Sequence, residues 1–127
     1  MVTWIPGGDP LAIAPIVAWR VLGAGIGEEL FFRGYIQGRL NQAFGTPVHV
    51  AGIRFGVGLF GAALLFSLVH LLNPLNTFTG AGSLAWGHGI ATLGALSYGV
   101  LRERCRSVVA PIVLHVLIDV LVLIPHG

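Results

Sequence analysis

Four apolar segments, separated by short turn-forming stretches, make up most of this 127-residue chain. They run from about Leu11 to Asn41, Val48 to Leu72, Ser83 to Leu101 and Val108 to Ile124. The last three are each about as long as a helix that crosses a hydrocarbon core about 30 Å thick. The sequence therefore predicts an all-α fold: a polytopic bundle of about four transmembrane helices, in one domain over residues 1–127, with any site between the helices.

The composition favours a membrane protein over a soluble domain. Hydrophobic residues make up 55% of the chain, charged residues only 9%, and the mean hydropathy is +0.87. Soluble domains carry roughly 25% charged residues, so this chain has too little polar surface to cover a soluble core. The net charge of +2 is too small to indicate a nucleic-acid partner. We therefore expect an integral membrane protein whose partner is the lipid bilayer.

The first segment is too long for one perpendicular span, at about 1.5 Å per residue. We expect Pro15 to break it and to leave an interfacial piece before the true span. Glycines recur inside the second and third segments, where they predict close packing of helix backbones. These glycines are Gly52, Gly56, Gly58, Gly61, Gly87, Gly89, Gly94 and Gly99.

The arginines predict an orientation. Arg39 and Arg54 flank the first loop, and Arg102, Arg104 and Arg106 lie in the third, whereas the second loop carries no charge. Because basic residues concentrate in cytoplasmic loops, the first and third loops are predicted inside and both termini outside. The Gly-, Ala- and Arg-rich composition further indicates a bacterial protein, which would place it in the bacterial cytoplasmic membrane.

Two carboxylates and a guanidinium interrupt the first apolar segment at Glu28, Glu29 and Arg33. Ionisable side chains at membrane depth are energetically costly and usually mark a functional site. Glu29 and Arg33 are four residues apart, so they share a helix face and can pair. Glu28 is rotated by about 100° and cannot share Arg33 equally. One carboxylate is thus expected to be structural, while the other is available for chemistry.

Three more polar side chains are predicted at the same depth, namely His70, His115 and Asp119. Counted from the cytoplasmic arginine of each helix, Glu28, His70, His115 and Asp119 lie about 16, 24, 13 and 19 Å into the membrane. All four positions fall in the middle of a core about 30 Å thick. We therefore expect these side chains to line one polar cavity.

Such a set of side chains supports hydrolysis without a covalent nucleophile. A glutamate beside a histidine can hold and deprotonate a water, and a second histidine can donate to a developing oxyanion. A zinc site is the alternative, with Glu28, His70 and His115 as ligands. The closely spaced pair of a His-Glu-x-x-His helix is missing, however, so we expect no cofactor.

Three short motifs occur in order along the chain: Glu28-Glu29-x-x-x-Arg33, Phe66-x-x-x-His70 and His115-x-x-x-Asp119. Together they resemble the motifs of the CPBP (Abi) intramembrane proteases. That family includes CAAX prenyl endopeptidases and bacteriocin-processing enzymes. The resemblance covers about residues 20–122. It implies a glutamic-type peptidase that cleaves a peptide or protein with a membrane-associated segment. It also implies a role for each motif residue: Glu28 and His70 activate water, His115 and Asp119 form the oxyanion site, and Glu29 and Arg33 support the motif helix.

Asp119 stands where many members of that family have Asn. An ionised Asp repels an oxyanion, so we expect Asp119 either to be protonated or to orient His115. His88 matches no motif and is expected either to pack against other helices or to contact the site residues without touching the substrate. The alternative function is a catalytically idle member that acts as a membrane binding or bacteriocin-immunity protein. Transport is a weaker option, because four short helices show no inverted repeat.

Overall fold

The computed structural model describes residues 10–72 and 91–121, and these residues are mostly helical. The first helix is continuous over residues 10–44. Its ends are α-helical and its middle is π-helical, with hydrogen bonds that reach one residue further back: Pro10–Ala18 and Gly38–Phe44 are α, while Trp19–Glu28 and Leu30–Gln37 are π. Glycines at positions 23, 25 and 27 lower the α preference of this stretch.

The second, third and fourth helices are Val57–Leu72, Ala91–Cys105 and Val109–Leu121. The prediction of a mainly helical chain is therefore confirmed for the described residues. The expected start of the third segment, the end of the fourth, both termini and His88 all lie outside the described residues.

The first helix does not break at Pro15, so that expectation was wrong. The helix passes through Pro15 with its side chain on the exposed face. Proline removes only one backbone hydrogen bond near the start of the helix, and the neighbouring turns hold the backbone. The helix ends at Gly45, where a φ of 74° places the residue in the left-handed region.

The start of the predicted second segment is a β-hairpin, not a helix. Strands Val48–Val50 and Ile53–Phe55 pair antiparallel. Ala51 and Gly52 join them with φ angles of 51° and 78°, as a tight two-residue hairpin turn requires. Gly52 is thus a turn residue and not a packing residue. The prediction failed here because β-branched and aromatic residues suit a strand as well as an apolar helix.

The third helix is longer at its C-terminal end than predicted. It reaches Cys105, so Arg102 and Arg104 lie in its last turn instead of in the loop. Cations there complement the partial negative charge of the helix C-terminus, which favours this extension. Arg106 follows in the turn, with a φ of 52°.

The core lies where the first, second and third helices meet. Phe32, Ala63, Phe66 and Ala95 form the buried cluster, with the rings of Phe32 and Phe66 edge to face at 5.1 Å. Gly99 lies so close to the side chain of Leu59 that a Cβ would not fit. Here the predicted use of glycine for close helix packing is confirmed.

The outer faces of the helices are apolar. Trp19, Phe60, Leu93 and Leu117 are more than half exposed, one on each of the four helices that the described residues form. Within residues 10–72 and 91–121, however, no helix combines the length and the apolarity required to cross a membrane. The transmembrane arrangement therefore stays a prediction.

Candidate active site

Glu29 lies at the centre of the candidate site with its side chain completely buried. Its Oε1 is 2.8 Å from Nδ1 of His115, and its Oε2 is 3.2 Å from Nε of Arg33, an ion pair without hydrogen-bond geometry. A carboxylate can only accept, so His115 donates its Nδ1–H to Glu29. The sequence spacing predicted the contact with Arg33, whereas the contact with His115 was not foreseen.

Arg33 connects this carboxylate to the third helix. Its Nη2 donates to the Ala95 carbonyl at 2.7 Å, and its guanidinium carbon lies 4.6 Å from the ring centre of Phe66 and 5.2 Å from that of Tyr98. The side chain is completely buried. Aromatic faces attract a buried cation, so these rings compensate part of the lost hydration.

Glu28 faces His70, whereas the adjacent Glu29 faces Arg33 and His115. Oε2 of Glu28 lies 3.8 Å from Nε2 of His70 on the second helix. His70 bonds through Nδ1 to the Phe66 carbonyl at 2.8 Å, and its ring stacks on that of Phe66 at 4.1 Å. Because a carbonyl only accepts, Nδ1 carries the proton and the Nε2 edge is directed at Glu28.

Oε2 of Glu28 is buried and has no hydrogen-bond partner among the described residues. The side chain as a whole is 31% exposed, whereas that of Glu29 is fully buried. A buried acceptor without a partner is unfavourable unless a ligand or water satisfies it. A small polar molecule that contacts both Glu28 and His70 would satisfy this oxygen.

His115 and Asp119 lie together on the fourth helix, four residues apart. Nε2 of His115 is 3.9 Å from Oδ2 of Asp119, and Oδ1 of Asp119 is 3.6 Å from Nη1 of Arg20. Tyr98 stacks on the His115 ring at 4.7 Å. Sequence reasoning missed both Arg20 and Tyr98. Arg20 had a signal, since it is the one charged residue between positions 10 and 27.

The six predicted site residues thus form two groups. One is Glu28 with His70, and the other is Glu29 with Arg33, His115 and Asp119. The groups meet at Phe66, whose ring contacts His70 and lies 6.0 Å from that of His115. Their catalytic and supporting roles remain predictions.

The zinc alternative would require Glu28, His70 and His115 to converge on one point. Across residues 10–72 and 91–121, no three His, Cys, Asp or Glu side chains are grouped closely enough to hold a metal ion. His115 instead directs Nδ1 at Glu29.

A second buried polar group lies about one turn beyond Arg33 along the first helix. Gln37 Nε2 and Asn41 Nδ2 both donate to Glu103 Oε1 at 2.6 Å, and Gln37 also reaches the Gly99 carbonyl at 3.2 Å. These bonds fasten the first helix to the third. They stabilise the position of the helix that carries Glu28 and Glu29.

A mainly helical fold with carboxylate and histidine side chains paired between its helices is consistent with a hydrolytic site. In a comparison with protein-family models, residues 10–121 match the type II CAAX prenyl endopeptidase Rce1-like family. The match covers most of the chain, which therefore belongs to this family of CAAX-type proteases, as the three motifs predicted. No curated protein and no solved structure matches the chain.

Proposed function

We propose that this protein is a glutamic-type intramembrane endopeptidase in which Glu28 and His70 activate a water molecule. The observation that carries the proposal is the buried Oε2 of Glu28, unpartnered among the described residues, at 3.8 Å from Nε2 of His70. A water that bridges these two atoms from one side can donate one hydrogen to each acceptor. Its oxygen lone pair is then directed at the substrate carbonyl.

Glu28 acts as the general base in this reaction. It removes a proton from the water while the water oxygen attacks the carbonyl carbon of the scissile bond. The tetrahedral intermediate collapses as the C–N bond breaks, and Glu28 gives the same proton to the leaving amine. The carboxylate is regenerated and no covalent enzyme intermediate forms.

His115 is the proposed oxyanion donor. Its Nδ1–H is already directed at Glu29, so the Nε2 edge can donate only when the ring carries both protons. Oδ2 of Asp119 lies 3.9 Å from Nε2 of His115 and orients the ring. Donors fixed in place before the reaction stabilise the developing negative charge without reorganising.

The substrate is proposed to be a peptide or protein with a membrane-associated segment, cleaved in the bacterial cytoplasmic membrane. The support is the apolar outer surface, where Phe60, Leu64, Val113 and Leu117 are more than half exposed. Exposed apolar patches of this kind mark contact with lipid or another apolar partner. The name of the family supports an endopeptidase of the CAAX type.

The test is turnover of a membrane-anchored peptide by the purified protein, comparing wild type with Glu28→Gln and His70→Gln. We expect kcat to fall by roughly 10²- to 10⁴-fold in both variants, because each removes a group that handles the water. His49→Gln is the matched control, since His49 is exposed on the hairpin; it should keep wild-type activity. Each assay is repeated with a metal chelator, which we expect to have no effect.

Other outcomes would change the assignment. Full activity in Glu28→Gln would contradict both the glutamate mechanism and zinc binding at this residue. Activity that disappears with chelator and returns with zinc would make Glu28, His70 and His115 candidate ligands. A folded wild type that binds such peptides but cleaves none would favour the binding or immunity role.

A further inference from the structure

Arg20 and Asp119 form an ion pair beside the proposed oxyanion site. Arg20 Nη1 lies 3.6 Å from Asp119 Oδ1, and their side chains are only 19% and 16% exposed. The other carboxylate oxygen of Asp119 faces His115. Each oxygen of Asp119 therefore has its own neighbour, a cation on one side and the imidazole on the other.

We propose that Arg20 is a positioning residue of this site. Its guanidinium offsets the charge of Asp119, so that the pair as a whole is neutral, as an uncharged side chain at position 119 would be. This inference rests on the proposed function. Without Arg20, a partly buried carboxylate next to His115 would oppose the negative charge that develops on the substrate oxygen. With Arg20 the pair has no net charge, and Asp119 can orient His115 without that penalty.

The helix packing fixes Arg20 in this position. Gly25, one turn further along the first helix, packs so closely against Val116 of the fourth helix that a Cβ would not fit. Arg20 and Asp119 lie on the two helices that this contact joins. The close approach therefore brings the guanidinium and the carboxylate together in an otherwise apolar stretch of the first helix.

The experiment is a double-mutant cycle with Arg20→Gln, Asp119→Asn and the double variant. For each protein, kcat and KM are measured on the membrane-anchored peptide. We expect Arg20→Gln to lower kcat at least tenfold, about 1.4 kcal/mol, with little change in KM. The double variant should recover most of this activity, because Asp119→Asn removes the uncompensated charge. A role in folding alone predicts instead that kcat per folded molecule stays at the wild-type value in Arg20→Gln.

Two further variants control the cycle. Arg20→Lys keeps the charge and should stay within about threefold of wild type, since a lysine offsets Asp119 at nearly the same place. Arg54→Gln makes the same change at an exposed arginine of the hairpin and should match wild type. A tenfold loss in Arg20→Lys, with normal folding, would contradict charge compensation.

A second measurement separates this inference from the proposed function. The thermal unfolding midpoint of the same variants in detergent should fall more with Arg20→Gln alone than in the Asp119→Asn background. If wild type cleaves and Glu28→Gln does not, yet the double variant shows no recovery, the inference fails while the proposed function stands. If wild type cleaves nothing, the proposed function fails, and additive changes in the midpoint would then also exclude the pairing.

Discussion

Glu28 and Glu29 are adjacent in the chain but lie in opposite surroundings. Glu29 is fully buried between Arg33 and His115, whereas Glu28 is partly exposed and faces His70. Removing one partner of a buried ion pair leaves the other charged group without compensation. The two carboxylates should therefore respond differently to the same substitution.

We expect Glu29→Gln to lower the free energy of unfolding by about 3–5 kcal/mol, because Arg33 would remain buried without its counter-charge. Glu28→Gln should change it by less than about 1 kcal/mol, since Glu28 forms no comparable buried ion pair. The measurement is denaturant unfolding of both variants in the same detergent. Equal losses in the two variants would contradict the structural role of Glu29.

The local part of the site was predictable from the sequence, and the long-range part was not. The pairing of Glu29 with Arg33 follows from a four-residue spacing on one helix. The bond from His115 to Glu29 spans 86 residues, and no periodicity within a segment encodes it. The position of Arg20 opposite Asp119 depends likewise on how the first and fourth helices pack.

At the scale of elements, the apolar pattern located the helices but not all their ends. Apolar periodicity indicates burial, and burial alone does not distinguish a short strand from the start of a helix. The hairpin at residues 48–55 depended on the two turn residues Ala51 and Gly52. The π-helical turns depend on backbone hydrogen bonds that the side-chain pattern does not report.

The hairpin turn can be tested at Gly52, whose φ is 78°. Gly52→Val should destabilise the protein by about 1–2 kcal/mol, because a side chain with a branched Cβ is strained in the left-handed region. The control is the neighbouring Ala51→Gly, which relieves the same strain at a φ of 51° and should be neutral or stabilising. Unfolding midpoints and protease cleavage within residues 45–57 provide the measurement. A neutral Gly52→Val would contradict the turn.

At the scale of the whole molecule, the described residues bury several charged and polar side chains beside the apolar core and expose many large apolar side chains. Arg33, Glu29 and Gln37 are among the most completely buried side chains, while Trp19 and Phe60 are exposed. This is the reverse of a soluble domain, in which charged residues are almost never fully buried. It agrees with the proposed membrane location.

The predicted orientation can be tested with the single cysteine of this sequence. Cys105 ends the third helix, is exposed, and lies among Arg102, Arg104 and Arg106, at the end of the helix predicted to be cytoplasmic. A membrane-impermeant thiol reagent should label it in inside-out vesicles but not in intact cells. The matched control is Cys105→Ser combined with Asn76→Cys, in the stretch that the sequence predicts to be the uncharged second loop, which should give the opposite pattern. Labelling of Cys105 in intact cells would overturn the predicted orientation.

The buried network also sets the order in which the molecule can be completed during synthesis. Arg33 donates to the carbonyl of Ala95, 62 residues later in the chain, and Glu29 accepts from His115, 86 residues later. At roughly 5–20 residues per second, a ribosome takes about 4 to 17 s to cover the longer interval. The first helix therefore emerges with the Glu29–Arg33 pair formed but without the later partners, Ala95 and His115. Its final burial waits for the fourth helix, and the synthesis of His115 determines when the Glu29 site is complete.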